Sequence, residues 1–185
     1  MITRRKSLLL LSSCLTSSTE SSLAEPAPNG PPQFKLRIPA STSTEERRSL
    51  RLKEFYLVIT NQSAVRLGVW RDWSRWGWYC PAVDIKVRET SFEFRRKGKA
   101  WARNFADPYY IDPGDHYVLP VALLSDEWIQ PNNFKPERFK EAVISATFTI
   151  EPSKDTKRLN IWTGVLKAET TAVLDLENDA KSVAS

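Results

Sequence analysis

Trp70, Trp73, Trp76 and Trp78 stand within nine residues of one another, interleaved with Arg71 and Arg75. Indole rings offer large flat apolar faces, and guanidinium groups stack on them. Two arrangements fit such a cluster. In the first, alternate rings such as Trp76 and Trp78 pack into a core and close its end, with Arg71 and Arg75 stacked on ring faces. In the second, some rings stay in solvent and form a platform for a sugar ring or a protein partner. Trp73, Arg71, Arg75 and Trp76 are then the candidate ligand-binding residues. Trp73 lies mid-loop between Asp72 and Ser74, so it is the ring expected to be exposed.

Reaction centres are harder to assemble from this composition. A Ser-His-Asp relay needs a histidine, and the chain has one, His116, which directly follows a turn. Cys80 and His116 could form a dyad; the alternative for Cys80 is a buried free thiol. Two cysteines and one histidine do not complete a tetrahedral zinc site, so no metal or other cofactor is expected. Asp72, Asp107, Asp126 and Glu127 lie near aromatic or loop regions, but no spacing singles out a hydrolytic pair. There is no GxxxxGK[ST] or GxGxxG to cradle a phosphate. Asn61-Gln62-Ser63 is formally a glycosylation sequon and is read as a turn. The chain is therefore expected not to be an enzyme.

The N-terminus carries a different kind of chemistry. Arg4, Arg5 and Lys6 precede Leu8-Leu9-Leu10-Leu11, the order of a secretory signal: positive charge, then a short apolar run. The run is far below the ~20 residues that span a bilayer. Leu11-Ser12-Ser13-Cys14 resembles a bacterial lipobox, in which Cys14 becomes the lipidated first residue. Ser22-Leu23-Ala24 offers an ordinary cleavage site instead. Residues 1–24 are thus read as a signal peptide. Export implies either a membrane-anchored lipoprotein or a secreted or periplasmic protein.

Charge narrows the partners. The formal charge of the 185-residue chain is +5, but everything before Cys14 contributes three positives and no acid, leaving +2. Beyond Glu45, Lys and Arg are interspersed with Asp and Glu, with no dense basic stripe, so nucleic acid is not an expected partner.

The elements that position these residues follow from side-chain period. Residues 25–50 are rich in Pro, Ser and Thr and read as a disordered linker holding at most one short strand, residues 33–38. From residue 51 to 178 the pattern becomes β-branched, aromatic and alternating. Strands are expected over 54–60, 64–70, 83–88, 91–95, 109–111, 117–124, 142–150, 159–167 and 171–176. Pro120 marks an edge or bulge. Asp112-Pro113-Gly114-Asp115 is a turn. Residues 125–140 read as a long loop or a helical turn, and residues 179–185 as a tail. The fold expected is all-β: an immunoglobulin-like antiparallel β-sandwich of about eight strands.

Several of these motifs occur together: Ile59-Thr60-Asn61-Gln62-Ser63, the strand with Leu67, Val69 and Trp70, Trp76-Gly77, Trp101-x-x-Asn104, Asp112-Pro113-Gly114 and Ile161-Trp162-Thr163-Gly164. In them, residues 53–176 resemble uncharacterised exported bacterial proteins of planctomycete type with immunoglobulin-like folds. The Asn-containing turn after the first strand and the late Pro-Gly turn are also distantly similar to the bacterial intracellular proteinase inhibitor family. The resemblance implies a β-sandwich and supplies no catalytic residues. The function expected is a non-catalytic cell-envelope binding or structural module. Its partners would be an envelope protein or glycan, and the membrane itself if Cys14 is lipidated. A carbohydrate-binding module using the Trp-rich loop and a protease inhibitor-like domain are the alternatives.

Overall fold

The computed structural model describes residues 33–39, 41–42, 48–51, 54–102, 105–135 and 141–175. The signal, Cys14, most of the linker, Asn104 and the C-terminal tail lie outside them. The described part is mostly β. Its strands are β1 (Phe34–Arg37), β2 (Ser41–Thr42), β3 (Arg48–Arg51), β4 (Phe55–Asn61), β5 (Leu67–Trp70), β6 (Pro81–Val87), β7 (Thr90–Arg96), β8 (Pro108–Ile111), β9 (His116–Val121), β10 (Trp128–Ile129), β11 (Glu141–Ile150) and β12 (Gly164–Asp175). Two short helices, α1 (Arg75–Trp78) and α2 (Lys154–Arg158), interrupt them.

The strands form a seven-stranded sheet ordered β10-β7-β6-β11-β12-β3-β2, a three-stranded sheet β1-β4-β9 and a ribbon β5-β8. Every pair is antiparallel except β12 with β3. Alternation drives the layering. In β11, Ala142, Ile144, Ala146, Phe148 and Ile150 are all buried, and the residues between them are not. Phe55, Leu57 and Ile59 of β4 do the same from the smaller sheet. The inward faces of all three sheets merge into one apolar core. That is the arrangement of a β-sandwich.

Several expectations are corrected. The described strands number twelve, not about eight. Residues 159–167 and 171–176 do not form two strands. Leu159 and Asn160 close α2, and a single twelve-residue strand, β12, runs from Gly164. The apparent break at Ala168-Glu169-Thr170 is a run of small and polar side chains with no turn chemistry, and β11 pairs straight through it. The strand expected over 64–70 begins only at Leu67. Ser63 to Val65 is a turn, and all four residues of β5 are buried. Residues 125–135 are not one loop: Trp128 is buried in β10, paired with β7.

Three strands fall within the stretch read as linker. β1 pairs with β4 and buries Phe34, Leu36 and, just beyond it, Ile38. Each such side chain contributes about 1.5–3 kcal/mol. That is comparable to the roughly 1–2 kcal/mol per residue of backbone entropy lost on ordering, so the pairing to β4 tips the balance.

One buried polar side chain ties the turns together. Asn61, at the end of β4, is 0% exposed. Its Nδ2 donates to the carbonyls of Val65 and Ile111, both at 2.8 Å. Its Oδ1 accepts from Ser63 N at 2.9 Å and Ser63 Oγ at 2.7 Å. Its backbone N–H donates to Asp115 O and its carbonyl accepts from Gly114 N. Gly114 sits at φ +83°, a conformation that favours glycine in the predicted Asp112–Asp115 turn. The hydrogen-bonding capacity of Asn61 is fully used.

Replacing Asn61 with Ala strips the buried Ile111 carbonyl of its partner and removes the acceptor that holds the Ser63 turn. Urea unfolding of Asn61→Ala is expected to show a loss of about 2–4 kcal/mol. A loss below ~1 kcal/mol would mean that the turns hold themselves.

Candidate functional site

The tryptophan-rich stretch leaves β5 at Trp70 and winds into the single turn of α1. Ser74 caps that turn: its Oγ accepts from Gly77 N at 3.1 Å and donates to Arg71 O at 2.8 Å. Gly77 is required by close approach, since a Cβ there would lie 2.0 Å from Arg71 O. The folded turn separates the four rings. Trp70 and Trp78 are buried, Trp76 is half-buried against Trp70 at 6.0 Å, and Trp73 is 57% exposed.

Trp73 is exposed but held. Its Nε1 donates to Asp107 Oδ2 at 3.1 Å. The Arg71 guanidinium sits 4.9 Å from its ring centroid and 4.9 Å from that of Tyr109. Arg71 Nε lies 3.3 Å from Asp107 Oδ1, an ion pair by proximity without hydrogen-bond alignment. Asp72 is anchored as well: its Oδ1 accepts from Tyr117 OH, and its backbone N–H donates to the Tyr117 hydroxyl oxygen. Burial, followed by that bond to Asp72, raises the Tyr117 pKa, so the phenol stays a donor.

Arg75 departs from expectation. It is exposed on α1, and no ring of the described residues stacks on it. A residue the sequence reading passed over, Arg96, takes that place at the end of β7. Its side chain is 4% exposed, its guanidinium lies 4.3 Å from the Trp78 ring and 4.5 Å from the Trp128 ring, and Nη1 pairs with Glu127. Lys99 continues the stack, 4.3 Å from Trp78 and 5.3 Å from Trp101. Trp78 Nε1 donates to Lys97 O at 2.8 Å. The order is Trp128, Arg96, Trp78, Lys99, Trp101: rings and cations in alternation. A desolvated cation over indole is worth about 2 kcal/mol, which offsets part of the cost of burying Arg96. The signal available in the sequence was parity, because Arg96 shares the inward register of Phe92 and Phe94.

These residues border a groove of about 360 Å³, whose wall includes Trp73, Trp78, Arg96, Lys99, Asp72 and Glu127. Of the carboxylates considered for hydrolysis, Asp72 and Glu127 meet there. Asp107 stands behind Trp73, and Asp126 is exposed. His116 is exposed on β9 opposite Thr60. Cys80 is buried, with Sγ donating to Trp76 O at 3.2 Å. Arg96 Nε and Trp128 Nε1 are buried without hydrogen-bond partners among the described residues. No family model matches this chain, and no curated protein or solved structure matches it.

Burial pushes the Cys80 thiol up to about 12, which opposes a thiolate nucleophile. An unfolded thiol titrates near 8.5. The stability that Cys80 contributes as a neutral thiol is therefore complete below that pH and is lost as pH rises toward 12. Between about pH 9 and 11, the urea-unfolding free energy should fall about 2 kcal/mol more in the parent than in Cys80→Ala. Parallel pH profiles would show that the thiol is solvated.

Proposed function

We propose that this chain is a non-catalytic binding module of the cell envelope, exported and held at the membrane by acyl chains on Cys14. The observation that carries the binding role is Trp73. A large ring left 57% exposed in a well-packed domain forfeits burial energy. Here that ring is also immobilised by Asp107 and Arg71. Immobilising an exposed ring before a ligand arrives lowers the entropy lost on binding. The ring stands at the rim of a groove whose wall is itself fixed by the Arg96 stack.

The non-catalytic reading draws on the same geometry. Asp72 and Glu127 each hold a structural donor, Tyr117 and Arg96. His116 sits in solvent on an edge strand, and Cys80 is a buried neutral thiol. The envelope location draws on the sequence: Arg4, Arg5 and Lys6, the leucine run, and Leu11-Ser12-Ser13-Cys14. More than one acyl chain on Cys14 would give stable anchoring.

Two outcomes are expected. The protein should co-sediment with purified envelope material, and Trp73→Ala should weaken that binding about tenfold, the effect of losing a central aromatic anchor. Binding indifferent to this exposed substitution would reject the Trp73 surface. Intact mass of the chain from its native host should fit a mature protein beginning at an acylated Cys14. A mass fitting a start at Glu25 would remove the lipid anchor, and an unprocessed mass would remove export.

A further inference from the structure

Resting on the Trp73 groove as the binding site, we infer that its ligand is a neutral saccharide. Three carboxylates border the groove, and each is already turned by one internal donor on one of its oxygens. Tyr56 OH donates to Glu54 Oε1 at 2.7 Å, Tyr117 OH to Asp72 Oδ1, and Arg96 Nη1 to Glu127 Oε2. Among the described residues the second oxygens, Glu54 Oε2, Asp72 Oδ2 and Glu127 Oε1, take no further hydrogen bond. They are oriented acceptors that a ligand's donors can take in place of water.

Charge then separates the ligand classes. Glu54, Asp72 and Glu127 outnumber Arg96 and Lys99 in the wall by one. An acidic ligand would meet net repulsion and acceptors that it cannot satisfy. A cationic ligand would satisfy them, but it would have to approach Arg96 and Lys99, and the Trp73 ring already carries Arg71. Hydroxyl groups meet neither obstacle, because each both donates and accepts. Several hydroxyls on one ligand can donate to the three carboxylate oxygens, and one of them can accept from Lys99. The Arg96 side chain in the wall is 4% exposed and is held by Glu127 and two indoles, so that side of the groove keeps its shape. A sugar is the hydroxyl-bearing ligand that also presents an apolar C–H face to an indole ring.

The test is calorimetric titration of the full chain with three probes: neutral oligosaccharides (β- and α-linked glucose, xylose and N-acetylglucosamine series), polygalacturonate and oligolysine. At least one neutral series should bind, more tightly than the other two probes. Trp73→Ala should cost about tenfold in affinity and Trp73→Phe less. Glu54→Gln, at an exposed position, should cost a few-fold, because it exchanges one acceptor for a donor. Phe105→Ala, also exposed but outside the groove wall, should change nothing. Tightest binding of polygalacturonate or oligolysine, still sensitive to Trp73, would overturn the neutral saccharide and leave the groove standing. Binding of any probe that ignores Trp73 would overturn the groove itself.

Discussion

The burial of one guanidinium governs the aromatic end of this domain. Removing the charge of Arg96 from water costs several kcal/mol unless the surroundings return it. They return it from three directions: Trp78 on α1, Trp128 on β10, and Glu127 beside it. Each of these belongs to a piece of chain with little structure of its own. α1 is a single turn, β10 is two residues long, and Glu127 stands in the turn just before β10. The same cation therefore fixes all of them to the end of β7. The groove wall depends on this arrangement. A lysine could not reproduce it, since a point charge lacks the planar faces that two indoles clasp.

Much of the architecture was legible, and where it was not the reasons are physical. β6, β7 and β11 announced themselves by alternation, β4 by its β-branched and aromatic run, and the Asp112–Asp115 turn by its Pro-Gly pair. The missed pieces have weak local signals and strong distant partners. β2 and β3 lie in a Pro- and Ser-rich stretch and gain order by pairing with each other and, through β3, with β12, whereas β1 is the one short strand expected there, at 33–38. β10 is identifiable only through Trp128 and its partner Arg96. The break inside β12 was inferred from missing apolar residues, where the long neighbour β11 supplies the hydrogen bonds.

A more general signal was present and unused. Asn61 follows Phe55, Leu57 and Ile59 in the inward register of β4, and Arg96 follows Phe92 and Phe94 in that of β7. A polar residue at the end of an apolar register either terminates the strand or is buried there with partners. Both proved buried, and both organise the loops around them. For the candidate site, the exposure of Trp73 followed from its mid-loop position. The stacking of Arg71 and the packing of Trp76 fit the first arrangement, whereas Arg75 faces solvent, because a capped helical turn decides which side chains face one another. Glu54 entered the groove only through tertiary packing.

The engagement of Asn61 bears on how the chain can be produced. Asn61-Gln62-Ser63 has the form read by oligosaccharyl transfer, which needs the amide nitrogen accessible. In the native turn that nitrogen faces two carbonyls and is closed to solvent. In a host that glycosylates secreted chains, attachment and folding would compete for the same atom. A chain modified first could not close the turn, whereas one that folded first would be protected by its own hydrogen bonds.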